Sequence, residues 1–70
     1  MKRFFTEELI ETTYLYCYKR LNDSEDAKEL AQDILTEAYA AVKTGSRIDS
    51  FYSWYWQLAY NRYCLYLKMR

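Results

Sequence analysis

Histidine and proline are absent from these 70 residues, glycine occurs once and cysteine twice. Without histidine there is no imidazole base for catalysis or zinc binding, and Cys17 and Cys64 alone supply neither a zinc constellation nor a disulfide framework. Both thiols read as reduced packing residues, and no cofactor or metal is expected. The lack of proline and the single Gly45 remove the usual punctuation of strands and hairpins, which predicts an all-α, compact three-helix fold. No run approaches the roughly 18 apolar residues that span a bilayer, so no membrane partner is expected. The opening Met1-Lys2-Arg3-Phe4-Phe5-Thr6-Glu7-Glu8 turns acidic before a signal segment can form, which points to a cytoplasmic protein.

What is present fits one small folded unit over residues 1–70. Hydrophobic residues make up 51% and aromatic residues 20%, too apolar a mixture for the disordered class, and the large rings offset a modest core. Net charge is zero, yet the charges are segregated. Residues 23 to 42 carry Asp23, Glu25, Asp26, Glu29, Asp33 and Glu37 against Lys28 alone, a net −5. Residues 43 to 70 carry Lys43, Arg47, Arg62, Lys68 and Arg70 against Asp49, a net +4. One region is suited to a basic partner and the other to an anionic one, although ordinary solvated faces account for the same pattern.

Three helices are predicted. The first, from about Thr6 to Leu21, has Thr6 as N-cap, Glu7 and Glu8 at the positive dipole end, and Lys19 and Arg20 in the last turn. Its apolar stripe is read as Ile10, Tyr14, Cys17 and Leu21. The second opens at Asn22-Asp23-Ser24-Glu25-Asp26, capped by Asp23 or Ser24, and ends near Lys43. Ala27, Leu30, Ala31, Ile34, Ala38, Ala41 and Val42 form its inner face, with small residues that permit close helix approach. Residues 44 to 50 form a polar connection in which Gly45 suits a left-handed helix stop and Asp49 or Ser50 the next cap.

The third helix, about Phe51 to Met69, places Phe51, Trp54, Leu58, Asn61 and Leu65 on one side, read as the inner one. Tyr52, Trp56, Tyr60 and Tyr63 form a second stripe, more aromatic surface than one buried face can use. Exposed rings beside Arg62 suit stacking on unpaired bases. Packing of the stripe on the first helix accounts for it equally well.

The segment Asn22-Asp23-Ser24-Glu25-Asp26-Ala27-Lys28-Glu29-Leu30-Ala31-Gln32-Asp33 resembles the second helix of bacterial RNA polymerase sigma factors, with its acidic opening, D-A, and L-x-Q-[DE]. After a connection of the expected length, Phe51-Tyr52-Ser53-Trp54-Tyr55-Trp56-Gln57-Leu58-Ala59-Tyr60-Asn61-Arg62 resembles that family's F-x-x-W-L-x-x-I-A-x-N. The likeness covers nearly the whole chain and points to region 2 of the extracytoplasmic-function group. It implies that the second helix docks on the clamp helices of the largest subunit of core RNA polymerase through Asp26, Glu29, Gln32 and Asp33. It further implies that the third helix and its preceding loop recognise minus-ten promoter DNA and hold its melted non-template strand. Arg47, Ile48, Tyr52, Trp56, Gln57, Tyr60, Asn61 and Arg62 are the candidate DNA contacts, Asn61 foremost. An anti-sigma protein is the other implied partner.

Departures from the pattern weaken a generic DNA face: Gln57 stands where Arg is common, Tyr55 where Leu is, Leu65 where a polar residue is, and Gly45 where an aromatic is often found. A complete factor also carries a second helical domain for the minus-thirty-five element, which does not follow Arg70. Either a fragment or a stand-alone domain is expected, and the end inside Leu65-Tyr66-Leu67-Lys68-Met69-Arg70, a continuing helical pattern, favours a fragment. The competing reading is a helical interaction module, or a regulator that binds polymerase without promoter melting. An enzyme is disfavoured, since no nucleophile, base and orienter come together. The pairs Asp26 with Glu29 and Glu29 with Asp33 share a helix face suited to a weak divalent ion, but a solvated acidic face is the simpler reading.

Overall fold

A computed structural model describes residues 4–45 and 48–69. They form α1 (Glu7–Leu21), α2 (Ser24–Lys43) and α3 (Phe51–Met69), with no strand among the described residues. The expected boundaries agree, and the starts of α1 and α2 were written in cap chemistry. The Thr6 side chain accepts the Leu9 N–H at 3.2 Å, and Asn22 closes α1 in the left-handed region at φ 53°, its own N–H reaching the Tyr18 carbonyl at 2.7 Å. Asn tolerates that conformation better than most residues. The Asp23 carboxylate then accepts the Asp26 N–H at 3.0 Å and opens α2. Only Asn22 and Asp23 separate the helices, so α1 and α2 fold back as a hairpin.

After α2, Gly45 turns the chain at φ +82°, with its N–H on the Val42 carbonyl. Nothing lies within 4 Å of where its Cβ would stand, so conformation rather than crowding calls for glycine here. The first turn of α3 is anchored by the Trp54 N–H on the Ser50 carbonyl at 3.1 Å.

α2 is the central helix and packs on both others. It buries Ala27, Leu30, Ala31, Ile34 and Ala38, as its sequence pattern predicts; Val42 is half-buried at the end of the face. Burial of Leu30 and Ile34 is worth about 1.5–3 kcal/mol each, and the alanines let the neighbouring helices approach closely.

The inner faces of α1 and α3 are displaced from the expected stripes. α1 buries Leu9, Thr13 and Cys17, while Ile10 is 47% exposed. α3 buries Phe51, Tyr55 and Ala59; Trp54 and Leu58 are half-buried, and Asn61 and Leu65 are exposed. One bond explains both displacements. The Thr13 hydroxyl donates to the Leu9 carbonyl at 2.7 Å, which uses its proton, so the Tyr55 phenol donates to Thr13 at 2.5 Å. Two hydroxyl-bearing residues that the sequence pattern did not place on an inner stripe thereby become compatible with full burial, and the faces turn to meet each other. Burial pushes the Tyr55 phenol above its ordinary pKa, against the lowering effect of its bond to Thr13. No buried side-chain nitrogen or oxygen among the described residues lacks a partner.

Phe4 and Phe5 cover the start of α3. Phe4 stacks on Phe51 with ring centres 4.2 Å apart, and Phe5 meets Phe51 and Tyr39 edge-on at 5.6 and 5.5 Å. Phe51 in turn stacks on Tyr55 at 5.5 Å, continuing the aromatic packing into the core.

Candidate functional site

The α2 carboxylates lie where the helical period puts them. Asp26, Glu29, Asp33 and Glu37 recur at spacings of three and four along the flank next to the buried face. Asp26 and Asp33 are half-buried, whereas Glu29 and Gln32 are exposed. Among the described residues no cluster of His, Cys, Asp or Glu is placed to hold a metal ion.

Asp33 and Arg62, expected to face two different partners, meet each other. Arg62 donates from Nε at 2.7 Å and from a terminal nitrogen at 3.0 Å to the two Asp33 oxygens, a bidentate fork joining α2 to α3. The Asp33 hydrogen bond, reinforced by its charge and that of Glu37, holds the guanidinium more firmly protonated than usual. The side chains keep 30% and 40% of their exposure, so solvent screens the pair and its net worth is about 1 kcal/mol or less. Beside it, Glu29, Asp33, Arg62, Leu65, Tyr66 and Met69 line an open groove of about 420 Å³.

On α3, Tyr52 and Tyr60 are 57% and 51% exposed, and Gln57 and Asn61 lie on the solvent side with them. The Gln57 amide donates to the Asn61 oxygen at 3.3 Å, one turn on. That bond uses one lone pair of the Asn61 oxygen and orients its amide beside Gln57. The Tyr60 phenol is pushed above its ordinary value, chiefly by its hydrogen bond to Cys64.

Trp56 behaves differently from its stripe-mates: it is half-buried, 5.2 Å from the Tyr16 ring of α1 and edge-on to Tyr55 at 5.0 Å. The second aromatic stripe therefore divides, with Trp56 packing on α1 and Tyr52 and Tyr60 in solvent. Ile48 is half-buried and lines a groove of about 450 Å³ with Phe4, Val42, Asp49, Phe51 and Tyr52. Arg47 lies outside the described residues.

Sequence reasoning missed two participants. Phe4 walls the groove before α3, and its only signal was an apolar pair preceding the Thr6 cap. Arg20 was read solely as a cation at a helix C-terminus; its guanidinium lies 3.6 Å above the Tyr16 ring and 5.9 Å from that of Tyr63. The Tyr16–Arg20 spacing of four was the available signal.

No curated protein and no solved structure matches the chain. The family model for sigma-70 region 2 matches residues 7–70, which takes in all three helices and both motif segments. A three-helix unit with an acidic central helix and an exposed aromatic and amide row on the third, matched over this length, belongs to the sigma-70 region 2 family, the polymerase-binding and DNA-binding part of transcription-initiation sigma factors.

Proposed function

We propose that the chain is the region 2 domain of an extracytoplasmic-function sigma factor that docks through α2 and captures the melted minus-ten non-template strand on α3. The observation that carries this reading is the solvent-facing set Tyr52, Gln57, Tyr60 and Asn61, which the core does not use. Melting a duplex costs pairing and stacking, and a protein offsets that cost by holding the unpaired strand through stacking, amide contacts and cations. Exposed Tyr52 and Tyr60 supply faces for bases, and Asn61 supplies amide hydrogens. Glu29 and Gln32, exposed on α2, offer a carboxylate and an amide to Arg or Lys of the polymerase clamp helices, with Asp26 and Asp33 at the edge of the same surface. An anti-sigma protein covering either face would inhibit by steric competition.

The test is binding of a single-stranded oligonucleotide carrying the minus-ten non-template sequence, against its complement, by the wild-type chain and Asn61→Ala. Preference for the non-template strand, reduced about tenfold or more by the substitution with helix content unchanged, supports the assignment; an unchanged affinity removes Asn61 from the interface. A second reading, a regulator that binds polymerase without melting promoters, is favoured by Gln57 at the common arginine position and by the engagement of Arg62 with Asp33. It requires polymerase binding with no strand preference.

A further inference from the structure

Between α1 and α3 lies an open groove of about 330 Å³ lined by Thr12, Leu15, Tyr16, Lys19, Arg20 and Trp56. It brings together two cations and two aromatic rings, with no carboxylate in its lining. The three acids of α1, Glu7, Glu8 and Glu11, all stand in its first half, so the helix presents positive charge only toward this end. Arg20 differs in kind from Arg62. Arg62 is neutralised by a bidentate carboxylate, whereas Arg20 has no carboxylate partner among the described residues. It is held instead by the Tyr16 ring at 3.6 Å, the Tyr63 ring at 5.9 Å and a bond to the Tyr16 carbonyl at 3.4 Å. Its charge is thus fixed in place yet not cancelled, the condition for meeting an anion with little ordering cost.

The second observation is continuity. Trp56 forms one wall of the groove and also lines a neighbouring cleft with exposed Tyr52, one of the rings assigned above to unpaired bases. We propose that the Arg20 groove is a second contact for single-stranded DNA, in which Arg20 and Lys19 take backbone phosphate and Trp56 offers its exposed edge to an adjacent base. The proposal extends the capture reading by assigning α1 a direct part in holding the strand. Because the contact combines charge with stacking and reads no base edges, it is tolerant of sequence. The groove sets how strongly a strand is held, while the Asn61 row selects which strand.

The test uses fluorescence anisotropy with two oligonucleotides of about twelve nucleotides, a length within the usual span of single-strand sites: oligo-dT and the minus-ten non-template sequence. Wild-type chain is compared with Arg20→Gln, Arg20→Lys and Asn61→Ala over a salt series. Arg20 is exposed, so its variants should keep wild-type helix content, checked by circular dichroism. Arg20→Gln is expected to weaken both oligonucleotides about five- to tenfold and to lower the log–log salt slope by about 0.7, the value for one single-strand phosphate. Arg20→Lys should keep the slope and recover part of the affinity. Quenching of tryptophan fluorescence by oligo-dT should be reduced in Arg20→Gln. Equal affinities and slopes for wild type and Arg20→Gln, or no binding of either oligonucleotide, overturn the groove assignment. Arg20-dependent binding of oligo-dT without preference for the minus-ten strand upholds the groove and overturns strand selection by Asn61.

Discussion

α2 and α3 are nearly equal in length, 20 and 19 residues, and are built on opposite plans. α2 buries three alanines, Leu30 and Ile34, and sends its charges outward. α3 buries Phe51, Tyr55 and Ala59 and keeps aromatic side chains around much of its remaining circumference. The small inner residues of α2 let it pack on both neighbours at once, which makes it the spine of the domain and leaves its acidic flank as a surface of defined position. α3 buries a narrower strip, with Phe51 and Tyr55 in the core, Trp54, Trp56, Tyr63 and Tyr66 packed against it, and Tyr52 and Tyr60 left exposed. The difference teaches that one small core can be closed with alanines on one helix and with rings on another, and that only the rings left over, Tyr52 and Tyr60, become surface.

The largest expected effect tests the spine. Ile34→Ala, at a fully buried site, should cost about 2–5 kcal/mol by urea denaturation, a large part of what a small domain possesses. Leu65→Ala on α3, 46% exposed in the native structure, should cost about 0.5 kcal/mol or less. Equal losses would break the contrast between the helices.

Alkaline pH gives the next effect. Burial pushes the Cys17 thiol up to about 11 from 9.0, against the opposing charge of Arg20. Between those values the unfolded chain binds fewer protons than the folded one. Stability should therefore fall as pH rises from about 9 toward 11, by up to about 1.4 kcal/mol per pH unit from this group. Cys17→Ala should flatten that fall in denaturation curves recorded across the range, and Cys64, only half-buried, should be alkylated before Cys17 in the native protein.

A smaller effect is expected at the α1–α3 contact. Tyr55→Phe removes the hydroxyl that donates to Thr13 and should cost about 0.5–1.5 kcal/mol. With Thr13→Val present, Tyr55→Phe should cost less than it does alone, because the partner has already been removed. A smaller effect than at Tyr55 is expected at Asp33→Asn, about 1 kcal/mol or less and reduced by salt, because the ion pair is partly exposed.

These two plans also explain how legible the molecule was. Helix boundaries were readable because Thr6, Asp23 and Gly45 state their roles locally, in a side-chain cap or a positive φ. The inner face of α2 was readable because apolar and charged residues are segregated on it. The faces of α1 and α3 were readable only at Cys17 and Phe51, for a physical reason: Thr13 and Tyr55 carry hydroxyls that argue for solvent until each is known to satisfy the other, and they stand 42 residues apart. A helix with rings on most sides offers no apolar contrast from which to choose a face, so Trp54, Leu58 and Leu65 looked as good as Tyr55 and Ala59. At the candidate site, the exposure of Tyr52, Gln57 and Tyr60 follows from the same surplus of aromatic and amide surface. The Asp33–Arg62 fork did not follow, since charge counting assigned the two groups to opposite poles rather than to each other.

Docking through α2 is the part of the proposed function that strand capture and the regulator reading share, and its most direct measurement is the affinity of the chain for core RNA polymerase, wild type against Glu29→Ala/Gln32→Ala. Both residues are exposed and outside the core, so the double variant should keep wild-type stability. The account predicts binding that weakens about tenfold or more in the double variant, equivalent to about 1.4 kcal/mol. A folded variant that binds core polymerase as tightly as wild type would contradict it.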